Sequence, residues 1–257
     1  MKETFIKVLD KVEFKNPILI EGLPGLGLVG NIATHYLIRQ LKAKKLAHLY
    51  SPHFPYFVLV NEKGSVRLLR GTFHFWKNYQ GNNDLIFFTG DRQAQTIEGQ
   101  YEICNNILTF AKKQGVNIVV TLGGYRVEVK NKPSVLVAAT NKNLLNKALN
   151  AKTIVSPIGT PIVGTAGLIL GLAPFQKIDA LCLLSETRGY LPDPRAAKSV
   201  LETLQKIFNF NVDLTELNKE IADAKKTVAR LQKIERDRTL QAEEMQKEED
   251  EKIKYIS

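Results

Sequence analysis

Cysteine is nearly absent from this 257-residue chain. Cys104 and Cys182 are its only two, each set in an apolar stretch, YEICNNIL and DALCLLSE. A free thiol in such a setting behaves as a small buried hydrophobe, so no disulfide, zinc cluster or cysteine nucleophile is expected. Long apolar runs are missing too. The longest, such as GTAGLILGLAPF and IVVTLGG, fall well short of the roughly 20 residues that cross a bilayer. The N-terminal MKETFIKVLDKVEFKN lacks an uninterrupted signal-peptide core. These absences read as a soluble, cytoplasmic protein with no membrane partner. There is also no G-x-S-x-G nucleophile elbow, no H-E-x-x-H and no Walker loop. His35, His48, His53 and His74 are too scattered along the chain to suggest a metal set.

Positive charge is in excess, with 36 Lys plus Arg against 26 Asp plus Glu and a formal net charge of +10. Such a surplus attracts polyanions by steering and counterion release. Its distribution argues against nucleic acid as the partner. The basic residues are spread through RQLKAKK, NEKGSVRLLRG, FAKKQG and EIADAKKTVARLQKIERDR, with no RNA-recognition signature, zinc finger or aromatic-interleaved basic run. They read as a solvated lysine-rich surface.

What is present is an α/β rhythm. Short apolar or β-branched runs (NPILIEG, PYFVLVN, SVRLLRGTFHFW, NDLIFFTGD, NIVVTLGGY, SVLVAAT, DALCLLSE) alternate with helical periods (VGNIATHYLIRQLKAK, KNLLNKAL, DPRAAKSVLETLQKIF). PYFVLVN and SVRLLRGTFHFW read as paired strands, and a further strand is expected near residues 153–156, before a Gly-rich apolar segment at 158–175. In residues 96–114 the positions Ile97, Tyr101, Cys104, Ile107, Leu108 and Ala111 share one helical face, and Gly115 ends that helix. Near-continuous hydrophobic strands joined by helices predict a mostly parallel central sheet flanked by helices. The expected division is an α/β domain over 1–210 and a C-terminal helical extension over 211–257. In that extension Leu214, Leu217, Ile221, Ala224, Val228 and Leu231 recur at heptad spacing. They form an amphipathic seam suited to packing on its own domain or on a second subunit. Beyond Ile234 the polar ERDRTLQAEEMQKEEDEKIKYIS reads as a solvated helix or flexible charged arm with an apolar tip.

The segment GLPGLGLVGN places Gly25, Gly27 and Gly30 in the spacing G-x-G-x-x-G between an apolar strand and a helix. A dinucleotide site also needs an acidic residue about twenty positions on for the ribose, and no Asp or Glu lies between Ala47 and Asn61. Leu23, Leu26, Leu28 and Val29 make the loop apolar for a phosphate cradle. The glycines therefore read as a tight turn that lets the next helix pack closely on the sheet, and no cofactor is assigned. Asp91 and Arg92, the glycine pair of TLGGY, and Glu186, Arg188 and Asp193 fall at strand ends, where α/β enzymes place catalytic loops. Asp91 with Arg92, and Glu186 with Arg188, read as ion pairs or helix caps. The enzyme alternative is a nucleoside- or nucleotide-binding protein using the loops around Gly25, Asp91 and Gly124.

Taken in order, GLPGLGLVGNIATHYLI, DLIFFTGDRQ, VVTLGGY, GTAGLILGLA and LLSETRGYLPDPRAAKSVLETL resemble the proteasome-assembly-chaperone family, in particular its archaeal homologues, over roughly residues 15–210. The resemblance implies a phosphorylase-like α/β fold, similar to that of purine nucleoside phosphorylases. It also implies a non-enzymatic homo-oligomer that binds the α subunits of the proteasome core particle, as an assembly chaperone or gate-opening activator. Archaeal activators of this kind dock through C-terminal arms ending in hydrophobic-Tyr-X. By that analogy the proteasome-binding residues are Ile253, Tyr255, Ile256 and Ser257, with the seam from Leu214 serving oligomerisation. Tyr255 is third from the end and Lys254 precedes it, a departure from the family's motif. An aromatic ring, an aliphatic neighbour and a free carboxylate still suit a small basic pocket.

Overall fold

The computed structural model describes residues 1–78, 81, 83–129, 132–224 and 226. The chain divides into two units, Met1–Leu214 and Thr215–Ser257. In the first, the elements run β1 (Phe5–Val8), β2 (Ile18–Glu21), a 3-10 turn (Leu26–Leu28), α1 (Val29–Gln40), β3 (Lys44–Tyr50), β4 (Val58–Val60), β5 (Val66–Leu68), β6 (Gly71–Trp76) and β7 (Leu85–Gly90). They continue with α2 (Ile97–Lys113), β8 (Ile118–Arg126), β9 (Val135–Ala139), α3 (Lys142–Asn150), β10 (Ile154–Val155), α4 (Gly164–Leu172), a second 3-10 turn (Ala173–Gln176), β11 (Asp179–Thr187) and α5 (Pro194–Phe208).

Local sequence sets the element ends. Thr96 caps α2 by accepting from the Gly99 N–H at 3.1 Å, and Gly115, at φ 82°, turns the chain out of the helix. Asn141 caps α3 through the Leu144 N–H at 2.9 Å. Asp193 caps α5 ahead of Pro194, whose fixed φ suits the first helical turn.

Among the described residues nine strands form one sheet in the order β1-β3-β6-β7-β2-β8-β11-β9-β10, while β4 and β5 make a separate hairpin. Strands β7, β2, β8 and β11 are parallel and hold the middle of the sheet. Antiparallel pairing builds the flank β1-β3-β6-β7 and joins β11 to β9. The α/β class is as expected, with pairing mixed rather than dominated by parallel strands. Helices α1 and α5 pack together on one face, α2 and α4 on the other. The main core lies under α2, where Phe73 meets Phe88 at 4.5 Å and Phe110 at 4.6 Å between ring centroids, all three buried.

Three readings need correction. Helix α1 stops at Gln40, Lys42 adopts φ 51°, and Lys44 already begins β3, so the LKAK stretch leaves the helix. Strand β3 and its neighbour β1 escaped the sequence reading because their pairing is long-range and KAKKL has helix-favouring composition. On α2 the buried stripe runs through Ile103, Cys104, Ile107, Leu108, Phe110 and Ala111, whereas Ile97 and Tyr101 are exposed. Of the second unit, residues 215–224 are helical. Leu217 is buried, Ile221 and Ala224 are half-buried and the residues between them are exposed. Leu214, ending the first unit, is half-buried. Val228, Leu231, Ile253, Tyr255, Ile256 and Ser257 lie outside the described residues.

Asp84 locks the start of β7. Burial would raise its pKa, but the Lys15 N–H (2.7 Å), the Lys77 ammonium (2.7 Å) and the Asn78 N–H (2.9 Å) outweigh burial and hold it below the ordinary carboxylate value. A depressed folded-state pKa stabilises above the unfolded value and is lost as pH falls through the folded one. Asp84→Ala is expected to cost on the order of 3 kcal/mol in urea unfolding at pH 7, and the gap to wild type is expected to close on acidification below pH ~4.

Candidate functional site

The loop after β2 begins with a close approach. A Cβ on Gly30 would overlap the carbonyl oxygen of Leu122 in β8, and one on Gly22 would overlap the Gly30 carbonyl and the Thr34 hydroxyl. Gly27 and Leu28 follow each other in the left-handed region, at φ 58° and 51°. The loop is closed by protein partners: the Gly27 N–H donates to the Gly189 carbonyl (3.2 Å), the Leu28 N–H to the Gly25 carbonyl (2.9 Å), and the Gly27 carbonyl accepts from the Asp193 N–H (2.8 Å). The Thr187 hydroxyl donates to Asp193 at 3.1 Å and fixes that carboxylate over the first turn of α5. The N–H groups of Gly27 and Leu28 are thus engaged by carbonyls of the chain itself, and the G-x-G-x-x-G spacing serves packing.

A cleft of about 590 Å³ opens beside this loop, at the carboxyl ends of β2 and β8. Its walls include Leu23, Gly25, Leu26, Gly123, Gly124, Ile162, Val163 and Leu184. The strands here send their following helices to opposite faces, α1 from β2 and α2 from β7, which is where open α/β sheets form ligand crevices. Gln93 spans the cleft. Its Nε2 donates to the Pro24 carbonyl at 2.8 Å, and its Oε1 accepts from the Thr165 N–H at 3.1 Å, tying the glycine loop to the start of α4.

Glu21, the last residue of β2, also lines this cleft and is 1% exposed. One carboxyl oxygen accepts the Leu23 N–H at 2.9 Å; the other, Oε2, has no hydrogen-bond partner among the described residues. Burial, only partly offset by the Leu23 N–H, pushes its pKa up to about 8. Beside it across the sheet are Thr121 of β8 and, one strand further, Cys182 of β11. Burial pushes the Cys182 thiol up to about 12 and the Cys104 thiol higher still, so neither is a thiolate at neutral pH.

The residues singled out from the sequence fall in different places. Gly25 and Gly124 line the cleft; Asp91 does not. Asp91 pairs with Arg67 rather than Arg92, through bonds of 2.6 and 2.9 Å, and accepts the Arg70 N–H at 2.9 Å. Burial opposes the ionised form, and Arg67 with Arg70 outweighs it, so the Asp91 pKa is lowered. Glu186 accepts the Ser134 N–H at 2.8 Å, while Arg188 reaches Glu128 at 3.3 Å, so the expected Glu186–Arg188 pair is replaced by two separate contacts. His48 and His74, on the neighbouring strands β3 and β6, are pushed down to about 4 by burial and nearby cations and stay neutral. His53 bridges the Thr96 hydroxyl and Glu102, each at 3.1 Å, and His35 sits on the exposed side of α1. Among the described residues no group of three or more His, Cys, Asp or Glu is placed to hold a metal ion, and no helix is long and apolar enough to cross a membrane. Sequence reading passed over Glu21 and Gln93. The signal for Glu21 was an acid closing the apolar run PILIE.

Fold and cleft define an α/β protein with a mixed sheet and a preformed crevice at its switch point. The chain belongs to the PAC2 family, whose model matches residues 19–232. It is similar to the crystal structure of Pyrococcus furiosus PbaB, an archaeal proteasome activator, with 37% identity and a TM-score of 0.86 over 90% of this chain and 100% of that one. P. furiosus PbaA, an archaeal homolog of proteasome-assembly chaperone, matches at 28% identity and a TM-score of 0.76, over 95% and 98% of the two chains. An uncharacterised protein of Methanocaldococcus jannaschii is 34% identical over 97% of this chain and 96% of its own length.

A carboxyl whose folded pKa is raised contributes stability below its unfolded value, and that contribution is lost as pH rises through the folded one. Between about pH 4.5 and about pH 8, wild type is expected to lose stability relative to Glu21→Gln, by up to about 1.4 kcal/mol per pH unit. Urea titrations of the two proteins across that range measure the difference.

Proposed function

We propose that this chain is a non-enzymatic, homo-oligomeric binder of the proteasome core particle, acting as an assembly chaperone or gate-opening activator through its C-terminal arms. The observation that carries the reading is the match to the archaeal proteasome activator PbaB, which extends over all of that chain at 37% identity. Chemistry at the C-terminus supports it. Ile253, Tyr255, Ile256 and Ser257 end a strongly charged segment, which keeps an apolar tip in solution until a pocket takes it. A single such peptide binds weakly, and several tips presented by one oligomer gain avidity because each later docking is intramolecular.

Exposed apolar surface supports the oligomeric half of the reading. The hairpin β4–β5 carries Val58, Val60, Val66 and Leu68, with Tyr56 and Phe57 just before it, all exposed, and Val60 pairs directly with Val66. Patches of this kind mark protein-binding faces. The seam of Leu214, Leu217, Ile221, Ala224, Val228 and Leu231 supplies a second surface for association.

Removing residues 253–257 is expected to weaken binding to immobilised core particles by roughly 100-fold or more, with circular dichroism and oligomer mass unchanged. Undiminished surface plasmon resonance binding would sink the docking role of the tip. Separately, Val60→Glu combined with Val66→Glu is expected to lower the mass measured by light scattering while shifting Tm by only a few degrees. A double variant that keeps the wild-type mass assigns the hairpin no part in assembly.

A further inference from the structure

The cleft beside the glycine loop holds a feature that docking on a proteasome does not use. Glu21 is buried to 1% exposure on its wall, with Oε1 occupied by the Leu23 N–H and Oε2 without a partner among the described residues. It forms no ion pair among the described residues, and such a buried, half-satisfied carboxyl is costly unless something completes it. The cleft that Glu21 lines is kept open by sequence further along its wall. Gly25 lies on the cleft wall at φ −154°, outside the left-handed region, and a Cβ there would come no nearer than 3.8 Å to the Gln93 side chain. Neither backbone conformation nor packing requires glycine at that position, unlike Gly22, Gly27 and Gly30. What glycine does there is leave room. At about 590 Å³ the cleft falls in the range of small-molecule sites, with apolar walls from Leu23, Leu26, Ile162 and Leu184 and few polar groups.

We propose that this cleft binds a small neutral molecule carrying an amide or lactam group, paired with the Glu21 carboxyl. An uncharged carboxylic acid presents an O–H donor and a carbonyl acceptor side by side. A cis amide presents the complementary C=O and N–H, so the two meet in a pair of hydrogen bonds that fills the Oε2 vacancy. Three features favour this class over an organic cation. The carboxyl is buried, which disfavours its ionised form; Arg126 stands on the same cleft wall and repels positive charge; and Leu23, Leu26, Ile162 and Leu184 give the cleft apolar walls suited to a ring or short chain. The raised pKa of Glu21 is in keeping with an acid at neutral pH. The proposal concerns binding alone and holds whether or not the C-terminal arms dock on a proteasome.

The test is a methyl NMR titration of the full-length protein with 2-piperidone, uracil and hypoxanthine as lactam probes and benzamidine as the cationic control. At least one lactam is expected to give saturable shifts at the methyls of Leu26, Ile162 and Leu184 at millimolar concentration, and benzamidine none. Glu21→Gln, which still offers a donor and an acceptor, is expected to keep binding within a few-fold. Glu21→Leu is expected to weaken it roughly tenfold or more. Gly25→Val, which narrows the cleft without altering the carboxyl, is expected to abolish it and remains informative if the Leu variant folds poorly. No saturable shift with any lactam overturns the proposal, as does binding that Glu21→Leu and Gly25→Val leave unchanged. Benzamidine binding that is lost in Glu21→Gln also overturns it, in favour of an ionised carboxylate.

Discussion

The contact between α1 and the end of β8 constrains the rest of the molecule. With no side chain at Gly30 or Gly22, the first turn of the helix sits directly on the strand carbonyl of Leu122. A larger residue at either place would push the helix off the sheet, because the opposing atoms are main chain and cannot rotate away. The left-handed pair Gly27–Leu28 and the hydrogen bonds to Gly189 and Asp193 then close the loop. Strand alternation carries the consequence to the other face. Gly22 faces α1, so Glu21, one residue earlier, points to the opposite side, where Leu19 already packs in the core under α2. The strand end that seats the helix is therefore also the one that delivers a carboxyl to the cleft.

The same geometry explains which parts were legible in the sequence. Strands β2, β7, β8 and β11 are buried on both faces, and their unbroken apolar runs announce them. The glycine loop departs from a dinucleotide fingerprint in its missing acid after β3, and in the structure its N–H groups at Gly27 and Leu28 are engaged by carbonyls of the chain itself. Strands β1 and β3 were not legible, since nothing local in FIKV or KKLAHLY specifies partners that lie far along the chain. Pairing of charged residues was read from adjacency and failed for the same reason. Asp91 finds Arg67 across a hairpin, and Glu186 finds a backbone N–H, although each has an arginine one or two residues away. The exposure of Ile97 and Tyr101 shows that an apolar residue on a helix reports a surface to be covered, without saying whether this chain covers it.

Glu21 is where the fold departs from what stability alone would select. A neutral side chain of similar size would spare the burial cost of the carboxyl, and the strand contributes its register through backbone bonds that any residue makes. Such departures concentrate where a protein uses a strained or unsatisfied group. The glycine at position 25 points the same way, being required by neither φ nor packing. Other contacts around the cleft are made: Gln93 bonds through both its amide nitrogen and its amide oxygen, and the glycine loop is closed by its own chain. Of the buried side-chain atoms without a hydrogen-bond partner among the described residues, on Glu21, Thr34, His74, Thr121, Thr153 and Ser156, only that of Glu21 belongs to a residue of the cleft wall.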